Sequence, residues 1–299
     1  MTSYAVPLVY LSTFLFMFGE TLQPAARIAI YEDIICRQYY GTLDRTPSLQ
    51  DCKEPQVQEQ LGTLIGLERL SIIIPCLLAI PFAHLADRVG HALIITIALF
   101  GQFFEEFYAL IICWFPDVFP IKLIWLHFVF SFIGGGMTVI VSLFHVIVAE
   151  HVGAESRMKV FLRMRAVGVV ASALGYGAAG AIMKVNVWLP WGIGLLSMLL
   201  AAFCGLLLPA NKVQDVPKED GIGGWKEWIP SAMQFFKRVK GLLTDDMQVT
   251  GILILVFLCQ LGFDSVPLMM SVYVSKRFHW TFANVRFPLS LHTLRKSNP

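Results

Sequence analysis

The sequence predicts an all-α, polytopic membrane protein, and three observations carry that prediction. Hydrophobic residues make up 56% of the 299 and charged residues only 15%, with a mean hydropathy of +0.66. Soluble domains carry about 25% charged residues, so this chain has too little charge to cover a water-exposed globule. Its apolar residues also gather into runs long enough to cross a bilayer core of about 30 Å, which takes about 20 residues of helix.

Seven such runs fall roughly at 7–30, 60–85, 92–115, 122–148, 160–183, 188–208 and 250–273. Two long polar stretches, 31–59 and 209–249, interrupt them. The other connections are short, which makes neighbouring spans antiparallel. The first run has no Lys or Arg before it and outlasts the short apolar core of a cleavable signal, so it reads as a retained span.

Loop charge gives an orientation. The loops after spans 2, 4 and 6 hold eleven Lys and Arg: Arg88, then Arg157, Lys159, Arg163 and Arg165, then six between Lys212 and Lys240. The opposite loops hold five: Arg37, Arg45, Lys53, Lys122 and Lys184. The positive-inside rule then places the N-terminus in the cytoplasm, although five further cations after span 7 weigh the other way. Whether the membrane is the plasma membrane or a vacuolar or endosomal one is left open. Within 209–249, Trp225, Trp228, Ile229, Met233, Phe236, Val239 and Leu243 recur at helical spacing among lysines. That pattern suits an amphipathic helix on the membrane surface, with an ordinary linker helix as the alternative.

A net charge of +2, with no basic block interleaved with aromatics, argues against a nucleic-acid partner. Cys76, Cys113, Cys204 and Cys259 lie in apolar runs and read as small hydrophobes. Cys36 and Cys52 share one polar loop and form a candidate disulfide.

Ionisable residues inside spans are costly in hydrocarbon, so each is a functional candidate. These are Glu20 and Arg27 in span 1, Glu68 and Arg69 in span 2, Glu105 and Glu106 in span 3, and Asp264 in span 7. Counted back from each outer end at 1.5 Å per residue, the acids of four helices reach about 12–15 Å, near the midplane where transporters bind cargo. Glu20 leads because Thr21, Gln23 and Pro24 make its surroundings polar and kinked. A carboxylate there can take up a proton, the chemistry that proton coupling requires. Arg27 lies seven residues on, on the same face, within reach of Glu20 only if both side chains stretch. Glu105 and Glu106 point about 100° apart, so one cavity can receive only one of them. The bland alternative for all of these is a set of buried pairs that join helices.

Catalytic and metal constellations fail. His145, Glu150 and His151 lack metalloprotease spacing, and Gly134–Gly136 sit in mid-span, far from a strand-to-helix phosphate turn. The sequence calls for no enzyme, cofactor or metal.

Two loop motifs remain. "AHLADRVGHA" after span 2 resembles the signature of the major facilitator superfamily, with Leu85, Ala86, Asp87, Arg88 and Gly90 matching. Ala83 replaces its leading glycine, and His91 and Ala92 replace its basic pair. "EHVGAESRMKVF" after span 4 resembles a second family motif through Glu150, Arg157 and Phe161. The stretches "EDIICRQYY" and "YVSKRFHW" resemble the branch that includes the proton-coupled folate transporter. Against drug–proton antiporters, span 4 has no Arg and span 5 has "GYGAAG" without Pro. Ala171, Gly175 and Ala179 read as a small-residue seam for close helix packing.

The resemblance implies the six-helix N-terminal bundle of such a transporter over 1–208. A cytoplasmic loop follows at 209–249, then the first helix of the second half at 250–285 and an atypical tail at 286–299. It also implies that Asp87, Arg88, Gly90, Glu150 and Arg157 form a conformational latch. The expected activity is transport of a small organic solute by alternating access, with anions among the candidate cargoes and protons as a candidate coupling ion. No further span follows Arg286, so the chain reads as a truncated product. That keeps open a non-transporting fragment that acts only as a membrane interaction protein. A seven-helix receptor is a weaker alternative, because the loop charges oppose its outside N-terminus.

Overall fold

The computed structural model describes residues 4–41, 51–71 and 79–209, with isolated positions at 75 and between 250 and 273. The described residues are helical throughout their regular structure. The α-helices are α1 (Ala5–Tyr40), α2 (Pro55–Ser71), α3 (Ala79–Val89), α4 (His91–Trp114), α5 (Gly136–His151), α6 (Ala154–Ile182) and α7 (Leu189–Leu206). Two 3-10 helices, Asp51–Lys53 and Ile121–Phe132, complete the set. Among the described residues, five segments are long and apolar enough to cross a membrane: α1, α4, the stretch Ile121–His151, α6 and α7. The loop at 209–249, most of the seventh span and the tail lie outside the described residues.

α1 corrects the expected boundaries. It continues ten residues past the apolar run, through the stretch read as the start of a polar loop, and stops at Gly41, whose φ of +61° ends the helix. Its 36 residues span about 54 Å at 1.5 Å per residue, well beyond the bilayer core. Depths counted from the end of the apolar run therefore do not measure distance from the helix end.

The fourth span differs more. Read as one helix over 122–148, it is a 3-10 helix followed by α5, with a break at Gly134, Gly135 and Gly136. These glycines have φ of +99°, +87° and +70°, a region that costs other residues dearly. A Cβ at Gly134 would strike the backbone of Ala98 on α4, so the break also lets two helices meet closely.

α1 is the central post of the bundle. It meets α7 through small residues: a Cβ on Gly19 would come within 2.8 Å of the Gly194 carbonyl. Ser12 donates to the Ala201 carbonyl at 3.1 Å and Ser197 to the Leu15 carbonyl at 2.7 Å. On its other side the seam of Ala171, Gly175 and Ala179 is buried, with Gly175 closed against Thr21 and the Phe18 carbonyl. Small residues let helices approach where lipid supplies no hydrophobic drive.

The apolar core comes in two parts. One gathers Tyr31, Ile35, Leu61, Ile112, Ile124 and Trp191, and the other Phe16, Ile95, Leu99, Ile140, Phe144 and Met198. Polar side chains stand among the apolar ones in the intervals between these clusters: Glu20 and Gln23 on α1, Glu105 and Glu106 on α4, and His127 and Ser131 in the fourth span.

Candidate functional site

The polar layer is built from residues that four elements contribute to the interior of the bundle. On α1 it holds Glu20, Gln23 and Arg27; on α2, Glu68; on α4, Glu105 and Glu106; and on the 3-10 helix, His127 and Ser131. Glu68, Glu105, Glu106, Arg27, Gln23, His127 and Ser131 are all buried, and Glu20 is half-buried.

Arg27 organises one side of the layer. Its Nη1 donates to both carboxylate oxygens of Glu106, at 2.7 and 2.9 Å, and its Nη2 lies 3.4 Å from Glu68 Oε1. The Tyr31 hydroxyl donates to the same Glu68 oxygen at a long 3.5 Å. Arg27 thus ties α1 to α2 and α4 and pairs with neither solvent nor Glu20. A buried guanidinium of this kind is tolerated because its donors find carboxylates.

Glu105 points elsewhere, as adjacent helical residues must. The Ser131 hydroxyl donates to its Oε2. His127 Nδ1 lies 2.9 Å from its Oε1, off the hydrogen-bonding direction. His127 Nε2 is buried and has no hydrogen-bond partner among the described residues. The group stands a few residues before the Gly134–Gly136 break.

Glu20 makes no hydrogen bond or ion pair among the described residues, yet it lies close enough to feel the charges of Glu106, Arg27, Glu105 and Arg69. Pro24 has no N–H to offer the Glu20 carbonyl four residues back, so backbone and side chain are both open there. Gln23 has a different place. Its Nε2 donates to the Gly19 carbonyl and to Met198 Sδ, against α7. Arg69 is exposed, and Asp264 lies outside the described residues.

At one end of the bundle the two loop motifs come together through His91. Its Nε2 lies 3.0 Å from Asp87 Oδ1 and its Nδ1 lies 2.8 Å from Glu150 Oε1. Gly90, with φ of +113°, makes the turn from α3 into α4. Arg157 Nε donates to the Val152 carbonyl at the end of α5, and Arg88 makes no ion pair among the described residues. At the opposite end a disulfide joins Cys36 to Cys52 with Cα atoms 5.3 Å apart. Beside it Glu32 accepts from Lys53 Nζ at 2.7 and 2.8 Å and from Gln58 Nε2 at 2.5 Å.

Sequence reasoning passed over His127, Ser131, Tyr31 and His91. His127 was detectable as an ionisable side chain in an apolar run, four residues before a serine. His91 counted only as a lost basic residue. Its two carboxylate neighbours come from different helices, and spacing does not show that.

Comparison with known proteins adds the last findings. The profile described as the Major Facilitator Superfamily matches residues 9–293. The MFS efflux pump atnC of Emericella nidulans is 25% identical over 288 residues, covering 92% of this chain and 56% of that protein. The efflux pump ustT of Aspergillus flavus is 26% identical over 287 residues, covering 89% and 55%. The MFS-type transporter aprT, also of Aspergillus flavus, is 30% identical over 296 residues, covering 92% and 56%. The chain therefore spans about half the length of these curated relatives. They do not bear out the folate-transporter-like branch.

Proposed function

This chain belongs to the major facilitator superfamily, and on that premise we propose that it moves a small organic solute across a membrane by alternating access, coupled to protons. It is an integral, multi-pass protein and not an enzyme; the receptor reading falls with its family. The observation that carries the proposal is the buried polar layer contributed by α1, α2, α4 and the 3-10 helix. Buried ionisable groups are expensive in a membrane protein and mark cargo or ion pathways.

Charge balance narrows the cargo. Within the layer, three buried carboxylates, Glu68, Glu105 and Glu106, accompany one buried guanidinium, with His127 able to carry a second positive charge. The surplus is negative, which favours a proton or a cationic solute and argues against an anionic one. Glu105, His127 and Ser131 are the group we assign to the proton. Arg27, Glu68 and Glu106 hold the helices, and Glu20, unpaired and half-exposed, meets the cargo. The latch role of Asp87, Arg88, Gly90, Glu150 and Arg157 belongs to the same proposal. The relatives' names as efflux pumps support outward movement. A cytoplasmic N-terminus puts Cys36 and Cys52 on the far side of the membrane, where disulfides persist, in agreement with the loop charges.

The test uses sealed vesicles that carry the chain, an imposed proton gradient and a panel of organic cations and neutral amphiphiles. Saturable movement that stops when the gradient is collapsed, and that Glu105→Gln abolishes, is the expected result. Failure of every compound to move with the gradient would contradict the proposal.

A further inference from the structure

We propose that His91 makes the junction of α3, α4 and α5 a protonation-dependent clamp, closed when its ring is charged. The inference is independent of cargo and of the polar layer. Both ring nitrogens face a carboxylate, Asp87 at 3.0 Å and Glu150 at 2.8 Å. A neutral imidazole has one N–H and one lone pair, so it can donate to one carboxylate while its bare nitrogen repels the other. Only the imidazolium, with two N–H groups, satisfies both. Histidine is the side chain whose charge ordinarily changes between about pH 5 and about pH 8, and a ring that loses its charge keeps only one of the two bonds.

On α3 the neighbouring charges are Asp87 and Arg88, and Arg88 forms no ion pair among the described residues. On α5 they are Glu150, His145 and His151. His145 Nδ1 contacts the Val141 carbonyl at 2.7 Å and its ring packs on Phe161, while His151 Nδ1 contacts the Ile147 carbonyl at 2.7 Å. Arg157 on α6 is bonded to the Val152 carbonyl. α1 before Glu20 and the whole of α7 contain no Asp, Glu, Lys, Arg or His. A cavity of about 90 Å³, lined in part by Ala83, Asp87, His91 and Ser142, adjoins the ring and gives water a route to it.

The bonds cross two mechanical joints. Asp87 and His91 straddle the glycine turn at Gly90, and His91 to Glu150 ties α4 to α5, the helix that follows the Gly134–Gly136 break. Acid therefore favours the arrangement seen here, and raising the pH releases one of the two ties to α4, so that α3 and α5 are no longer clamped together through it. A permanently charged arginine at this position would not respond.

The experiment places spin labels at Leu85 on α3 and Val146 on α5, both exposed. The chain sits in lipid nanodiscs, with Cys76, Cys113, Cys204 and Cys259 replaced by Ala, and distances are measured at about pH 5 and about pH 8. The expected result is a single narrow distance in acid and a second, longer population at the higher pH. His91→Arg should stay narrow at both pH values, and His91→Gln should show the second population at both. A distribution that ignores pH in the unsubstituted chain, or a His91→Arg chain that still responds to pH, would overturn the proposal.

Discussion

Arg27 is the residue on which most of the polar layer depends. Replacing it with Met leaves Glu106 and Glu68 buried without their cation, and breaking a buried pair from one side costs about 3–5 kcal/mol. Thermal unfolding in nanodiscs should show that loss, and adding Glu106→Gln should return part of it; an Arg27→Met chain as stable as the original would mean that the pair is dispensable. Glu20 behaves differently because it holds no helix in place. Glu20→Gln should leave insertion and stability unchanged while abolishing solute movement. Retained movement with unchanged pH dependence would make it a structural residue. Much of this layer was legible in the sequence, because charged residues inside apolar runs stand out. Their partners were not. Arg27 selects Glu106 and Glu68, seventy-nine and forty-one positions away, and spacing along one helix suggests only Glu20.

At the scale of elements, apolar run length identified the described spans and missed where their helices end. α1 runs on to Tyr40 because hydrogen bonding, unlike hydropathy, does not stop at the edge of an apolar run. The break in the fourth span was written in three consecutive glycines, yet a run of apolar residues masks it. Gly134→Val would put a branched side chain at φ of +99° and against the Ala98 backbone. Strained backbone alone costs about 1–3 kcal/mol, so this variant should unfold at lower temperature, and an unchanged midpoint would contradict the described break. The loop that follows α1 is held by Cys36–Cys52, with a sequence separation of 16. Closing a loop of that size is worth about 3 kcal/mol. Reduction should lower the unfolding temperature of the native chain and leave a Cys36→Ser, Cys52→Ser chain unaffected.

Among the described residues, the molecule is a central helix, α1, with α6 and α7 packed on it and a buried polar layer shared with α2, α4 and the 3-10 helix. Its orientation is open to direct labelling, since Gly153 and Asn186 are exposed in loops at opposite ends. With the N-terminus in the cytoplasm, an impermeant thiol reagent added to intact cells should label Asn186→Cys and spare Gly153→Cys. The reverse pattern would invert the protein. The order of spans and the family motifs were readable from the chain, whereas the contacts within the layer emerged only when α1, α2, α4 and the 3-10 helix were packed together.

The central claim is that this layer, with more buried carboxylates than cations, holds an exchangeable proton. Infrared spectroscopy of the chain in nanodiscs, recorded in H2O and after exchange into D2O, tests it without knowledge of the cargo. The account predicts a carboxyl C=O band that shifts on deuteration and is missing from Glu105→Gln. A chain with no such band, or one whose band survives Glu105→Gln unchanged, would contradict it.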